Sequence, residues 1–156
     1  MNSRFSKYFL VLILLSCFFV SVNKVYSVSS TFFPERRHVT VYIPGQKSLD
    51  VAVSETDKQR NLGLGFVKKM SDKNGMLFVF KKSDYYAFWM KNMRMSLDMV
   101  FIDENKIVTD IYKNISPLSY PKSFSPSKKI KYVLEINSGI ASKLNIKSGQ
   151  KIFFLK

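Results

Sequence analysis

The sequence predicts a mainly β protein, a single antiparallel β-sandwich or open barrel with two short helices. Three observations favour this fold. First, roughly eight runs of strand length are either continuously apolar or alternate between apolar and polar residues. Second, glycine, proline and asparagine residues separate many of these runs at short intervals. Third, the chain of 156 residues has no internal repeat and suits one ordinary domain.

The predicted domain begins with a hairpin and a short helix. The run HVTVYI (38–43) alternates and is β-branched, and a proline–glycine turn leads from it to SLDVAV (48–53), whose apolar residues share one face. The next four residues, SETD (54–57), have the form of a capping box with Ser54 as the N-cap. We therefore expect a short helix over residues 55–62 that ends at Gly63.

The middle of the chain predicts four more strands and a long loop. The strands are MLFVF (76–80), YAFWM (86–90), LDMVFI (97–102) and KIVTDIY (106–112). The first is apolar throughout, which indicates burial on both faces, and the last two form the clearest hairpin in the sequence. Residues 114–129 are rich in serine, proline and lysine, so we expect a long irregular loop of a kind that is often functional.

The C-terminal part predicts two strands around the second helix. KYVLEI (131–136) is a strand, and NSGIASKL (137–144) is a short helix capped by Asn137 or Ser138. Gly149 then turns the chain into a final strand, KIFFL (151–155).

Residues 1–27 have the form of a secretory signal peptide. Arg4 and Lys7 precede an apolar stretch over residues 8–22, and small residues at the −3 and −1 positions predict cleavage after Ser27. Two alternatives stay open: the residues LLSC, which end at Cys17, resemble a lipobox, and the segment could remain as an uncleaved anchor. We therefore expect an exported protein, periplasmic or extracellular, that is attached to the membrane only if the N-terminal segment is lipidated or uncleaved.

Cleavage would leave a linker over residues 28–37 and one β-rich domain over residues 38–156. This part contains no cysteine, so it has no disulfide, no thiolate nucleophile and no sulfur ligand for a metal. The chain has a single histidine, His38, which excludes a site with several histidine ligands. We predict no metal and no cofactor, and the methionines are expected to fill the core.

The net charge of +14 has two interpretations. The excess of lysine and arginine keeps a small domain soluble, or it favours an anionic partner such as phospholipid head groups, cell-wall polymers or acidic sugars. No motif that reads DNA or RNA is present, so we predict no nucleic-acid partner.

Several phrases in a fixed order identify a family resemblance. They are RNLGL (60–64), GMLFVF (75–80), FWMKNM (88–93), LDMVFID (97–103) and YVLEINSG (132–139), followed by GQKI (149–152). Together they resemble the family known as domain of unknown function 192 over residues 39–154. The resemblance implies a compact, mostly β domain of jelly-roll type, often behind a signal peptide, with no established activity.

The chain departs from the family pattern at two places. Gly65 lies near a position where relatives have methionine, and Pro117-Leu118 replaces a proline–cysteine pair found in many relatives. The second departure argues against any cysteine-based chemistry in this chain.

Two carboxyl groups point to a candidate site. Asp98 and Glu135 lie within apolar strands, where an unpaired ionised carboxylate is costly. One interpretation is a buried polar network in which these acids accept hydrogen bonds from Arg60 or from backbone amides. The other is a ligand-binding cleft, with Trp89 as its wall and with polar groups from Arg60, Lys91, Asn92, Asp98 and Glu135.

Three hypotheses about function follow. The leading one is an exported binding or accessory module that holds a small ligand or a cell-envelope component in this Trp-lined polar cleft. The second is a glycan hydrolase or lyase that uses Asp98 and Glu135 as an acid–base pair. The third is a purely structural or interaction protein. The sequence alone does not decide whether the protein is an enzyme, nor its oligomeric state.

Overall fold

The computed structural model describes residue 33 and residues 35–155. The predicted signal peptide, with its lipobox alternative at Cys17, lies outside the described residues. Within the described part, no helix is long and apolar enough to cross a membrane. Arg36, in the predicted linker, is buried and donates hydrogen bonds to Ser54 Oγ (2.6 Å) and to Met76 Sδ (3.3 Å). Contacts with the domain therefore begin before His38.

The described residues form nine strands, two short α-helices and one 3₁₀ helix. The strands are β1 (His38–Tyr42), β2 (Leu49–Ser54), β3 (Asn74–Asp84), β4 (Phe88–Trp89), β5 (Leu97–Ile102), β6 (Val108–Ile115), β7 (Ser123–Phe124), β8 (Ile130–Asn137) and β9 (Phe153–Leu155). The helices are α1 (Asp57–Leu62), α2 (Ile140–Lys143) and the 3₁₀ helix Pro117–Ser119. The mainly β composition and the two short α-helices agree with the prediction.

The prediction that the strands are all antiparallel is wrong. Seven strands form one open, mixed sheet in the order β6-β5-β8-β3-β2-β1-β9, and β4 and β7 form a separate two-stranded sheet. The β2–β3 pair is parallel, whereas the other described pairs are antiparallel. The reason is α1, which lies in the crossover between β2 and β3 and lets the chain enter both strands from the same end.

The large sheet has two apolar faces, because side chains alternate along each strand. One face, here called the aliphatic face, packs against α2; it includes Val51, Val53, Leu77, Val100, Leu134 and Ile136. The other, here called the aromatic face, packs against β4, β7 and the segment after α1; it includes Met76, Phe78, Met99, Phe101 and Val133. Buried methionines fill the aromatic face, as expected for core residues.

The first helix begins two residues later than the sequence predicted. Thr56, not Ser54, is the N-cap: its side chain accepts a hydrogen bond from Gln59 N–H, and the Gln59 side chain accepts one from Thr56 N–H. Ser54 is still part of β2, which delays the start of the helix. The helix ends at Gly63, as predicted, with φ of 51°, a positive value that glycine adopts without strain.

Candidate functional site

An open cavity of about 500 Å³ lies over the aromatic face, within the size range of small-ligand sites. Four parts of the chain line it: α1 with its following turn, β3, residues 86–93, and β8. Five of the six predicted site residues belong to this lining, namely Arg60, Trp89, Lys91, Asn92 and Glu135. The structure does not bring Asp98 to it.

Six aromatic side chains belong to the cavity lining; they are Phe66, Phe78, Phe80, Tyr86, Phe88 and Trp89. Phe80 stacks on Tyr86 with ring centroids 3.6 Å apart, and Phe88 meets Phe78 edge to face at 5.0 Å. These contacts fix the rings relative to one another. Apart from Trp89, these rings were not among the predicted site residues, although the aromatic content of 15% was a signal for them.

Trp89 stands at the mouth of the cavity and is 53% exposed. Its backbone pairs with Ser123 in the small sheet, and its ring lies 6.0 Å from the Tyr120 ring, edge to face. The Lys91 ammonium lies 5.5 Å from the Trp89 ring centroid, within the range of a cation–π interaction. The mouth therefore combines a half-exposed indole with a positive charge.

Arg60 is held in place by α1 and β3. Its Nη1 donates to the carbonyl oxygens of Glu55 (2.6 Å) and Val79 (2.9 Å), and its Nη2 pairs with the Asp57 carboxylate. Its guanidinium carbon also lies 5.2 Å from the Phe80 ring centroid. The guanidinium is a fixed positive charge in the cavity wall, and it does not contact Glu135 as the sequence interpretation allowed.

Two non-glycine residues in the left-handed region meet at the mouth. Phe66 has φ of 66° and Asn92 has φ of 61°, and Phe66 N–H donates to the Asn92 carbonyl oxygen at 2.9 Å. Such backbone conformations cost about 1 kcal/mol or more each and cluster at functional sites. The strand predicted over residues 86–90 ends early, at Trp89, and the turn that follows brings both Lys91 and Asn92 to the cavity.

Glu135 contributes a buried carboxyl group to the cavity lining. The residue is 4% exposed, and its strand neighbours across the sheet are Met76 and Met99. Among the described residues, none forms a hydrogen bond with Glu135 Oε2. Burial raises the pKa of Glu135 from 4.5 to about 8. At pH 7 this group is therefore mainly neutral and can donate a hydrogen bond to a molecule in the cavity.

Asp98 lies on the aliphatic face and is fully buried. Asn114 N–H donates to its Oδ1 at 2.8 Å, and Ala141 N–H, in the first turn of α2, donates to its Oδ2 at 2.9 Å. Asp98 pairs with Ile136 and Met99 pairs with Glu135, so the two carboxyl groups project from opposite faces of the sheet. The sheet thus separates the acid–base pair that the hydrolase hypothesis requires.

Within residue 33 and residues 35–155, no group of three histidine, cysteine, aspartate or glutamate side chains is arranged to hold a metal ion. His38, the lone histidine, contacts Asp50 Oδ1 at 3.0 Å and the Phe33 carbonyl oxygen at 3.2 Å. It is not part of the cavity lining. The described residues of the lining therefore offer aromatic rings, two cations, amides and one carboxyl group.

Comparison with known proteins gives a family and two similar structures. The model of the DUF192 family, described as uncharacterised, matches residues 39–154. A Sinorhizobium meliloti 1021 protein, whose description proposes a transcription regulator, is 28% identical; the match covers 75% of this chain and 92% of that one, with a TM-score of 0.68. A Novosphingobium aromaticivorans DSM 12444 protein of unknown function is 29% identical. The match covers 76% of this chain and 84% of that one, also with a TM-score of 0.68. No curated protein matches the chain significantly.

Proposed function

We propose a function from the cavity itself, because the chain belongs to the DUF192 family, which is described as uncharacterised. The domain is an exported binding or accessory module that takes a small ligand or a cell-envelope component into its aromatic cavity. The ligand has an apolar ring and a group that accepts hydrogen bonds, such as a carboxylate. The observation that carries this proposal is the buried Glu135 carboxyl group, which belongs to the lining of this cavity and whose Oε2 has no hydrogen-bond partner among the described residues.

The shape of the wall supports a ring-bearing ligand. Aromatic side chains bury flat apolar surfaces well and add a specific edge-to-face or stacking contribution of about 0.5–1.5 kcal/mol. Trp89 and Phe66 are both more than half exposed at the mouth, so they have free surface to offer. A ring entering between them would cover that surface.

The charges of the wall support an acceptor on the ligand. Arg60 and Lys91 are cationic, and Glu135 is the only acid among the described lining residues. With a pKa of about 8, Glu135 adds a hydrogen-bond donor at neutral pH and little negative charge. An anionic or carbonyl oxygen can accept from Glu135 and is attracted by the two cations, whereas an ammonium group faces two positive charges.

Three probes that share one ring test this proposal: phenylacetate, phenylacetamide and phenethylamine. At pH 7 we expect phenylacetate to bind most tightly, with a Kd of about 1 mM, as a fragment of its size allows. Trp89→Ala should weaken its binding about tenfold, because the stacking contribution is lost. Ligand-detected NMR titration measures both effects.

The matched control is Tyr85→Ala, which removes an exposed aromatic side chain outside the cavity lining. This variant should bind phenylacetate as the wild type does. Tighter binding of phenethylamine than of phenylacetate, or no saturable binding of any probe at about 10 mM, would contradict the proposal.

Binding of phenylacetate should also weaken as the pH rises above 8. Ionised Glu135 repels the ligand carboxylate instead of donating to it, so the affinity at pH 9 should be about tenfold below that at pH 7. The other charged or titratable groups in the lining are Arg60, Lys91 and Tyr86. In Glu135→Gln these groups are retained, and the affinity should become independent of pH between 7 and 9; a pH dependence equal to that of the wild type would rule out Glu135 as the donor.

A further inference from the structure

We propose that the mouth of the cavity docks on a bilayer surface that contains anionic phospholipid. Five large apolar side chains are exposed around this mouth and form what is here called the apolar lip: Leu62, Phe66, Trp89, Leu118 and Tyr120. Leu118 is 93% exposed. A cluster of exposed apolar side chains of this kind marks a surface that contacts a protein, a membrane or a ligand.

The members of the lip are linked in space. Leu62, Phe66 and Trp89 all belong to the cavity lining. Tyr120 packs edge to face on Trp89 at 6.0 Å, and Leu118 lies two residues away in the 3₁₀ helix Pro117–Ser119. The lip is therefore one patch and not five scattered residues.

The segments that carry the lip are strongly basic, although Asp57, at the start of α1, pairs with Arg60. Residues 58–71, 85–97 and 111–134 contain no aspartate and no glutamate, while each contains two or more lysines or arginines. Two of these cations are placed beside the lip: Lys91 lies 5.5 Å from the Trp89 ring, and Lys122 lies 5.3 Å from the ring of Phe124, the residue after the strand partner of Trp89.

Apolar and aromatic side chains surrounded by cations fit the interface of an anionic membrane. Tryptophan and tyrosine favour the head-group region, leucine and phenylalanine insert below it, and nearby lysines attract the anionic surface. A second copy of the chain fits less well, because two such patches would bring their positive charges face to face. The docked mouth would open the cavity towards the lipid head groups.

The only tryptophan of the chain, Trp89, provides a local probe for this contact. The full-length chain is mixed with vesicles of phosphatidylcholine containing phosphatidylglycerol, and with vesicles of phosphatidylcholine alone. We expect a blue shift of Trp89 emission with the anionic vesicles, and a weaker effect at high salt because the attraction is screened. The readout is local, so binding through the N-terminal segment does not by itself produce it.

Leu118→Glu is the decisive variant, because Leu118 belongs to the lip but not to the cavity lining. Because its apolar surface is lost, the lipid concentration that gives half of the blue shift should rise about tenfold. Leu155→Glu, the same change at an exposed leucine in β9, should behave as the wild type. Leu118→Glu should still bind phenylacetate, so failure of the docking proposal and failure of the ligand proposal are distinguishable.

Three results would overturn docking: no shift with anionic vesicles, an equal shift with phosphatidylcholine alone, or an equal shift for Leu118→Glu and the wild type. Light scattering of the protein without vesicles tests the alternative that a second copy of the chain covers the lip. A dimer that dissociates in Leu118→Glu would assign the lip to a contact between two copies and also overturn the proposal.

Discussion

Asp98→Ala is expected to lower the free energy of unfolding by about 3–5 kcal/mol. The substitution leaves the amides of Asn114 and Ala141 without their acceptors in a fully buried place. Hydrogen bonds to a carboxylate contribute about 1.5–3 kcal/mol each, and buried donors without partners add a desolvation cost. Denaturant unfolding at pH 7, with a comparison of midpoints and slopes, measures the loss.

Asp98→Asn is expected to cost nearly as much, because its amide nitrogen would face one of the two N–H donors. A useful control is Asp110→Asn: Asp110 Oδ2 accepts a single hydrogen bond, from Ser127 N–H, in an exposed place, so its loss should cost about 1 kcal/mol or less. Equal stability of Asp98→Ala and the control would contradict the role assigned to Asp98, which is to attach β5 to α2 and β6.

Glu135→Gln is expected to stabilise the protein at alkaline pH and to change its stability little at pH 4. In the folded state the pKa of Glu135 is raised by burial to about 8 from an ordinary value of 4.5. The folded state therefore binds more protons than the unfolded state between these pH values, and stability falls as the pH rises through this window. The full loss is roughly 5 kcal/mol, at about 1.4 kcal/mol per pH unit.

Glutamine keeps the shape of the neutral carboxyl group but does not ionise. The stability difference between Glu135→Gln and the wild type should therefore grow from pH 4.5 to pH 8 and then stay constant. Glu55→Gln, at an exposed acid that pairs with Arg37, should follow the wild-type pH profile. If the Glu135→Gln profile ran parallel to the wild type across the same range, the carboxyl group would not be neutral in the folded protein.

The two buried acids show how far sequence reasoning reaches. Their positions in apolar strands correctly indicated that each needs a special environment. The sequence did not reveal that Asp98 obtains backbone amides, whereas Glu135 Oε2 obtains no partner from the part of the chain that the structure describes. Strand register decides this difference, because it places Asp98 beside the first turn of α2 and Glu135 beside the cavity. Register depends on contacts between distant segments, which side-chain alternation within one strand does not encode.

The same limit applies to the fold. Local patterns were sufficient for the β1–β2 and β5–β6 hairpins, where a short turn joins neighbouring strands. The parallel β2–β3 pair was missed, because the helix between these strands is only six residues long and the strand patterns carry no direction. The role of Tyr120 and Leu118 in the lip was not predicted for another reason: they lie in a segment that was predicted only as an irregular loop.

The placement of Asp98 and of the cavity on opposite faces has a consequence for how related proteins can diverge. Under the function proposed above, substitutions of Trp89 and Lys91 at the mouth would alter what is bound, and the connection from β5 to α2 would be unaffected because it lies on the other face of the sheet. In a domain divided in this way, single mutations at the exposed mouth would change binding while the hydrogen bonds that Asp98 accepts on the opposite face persist.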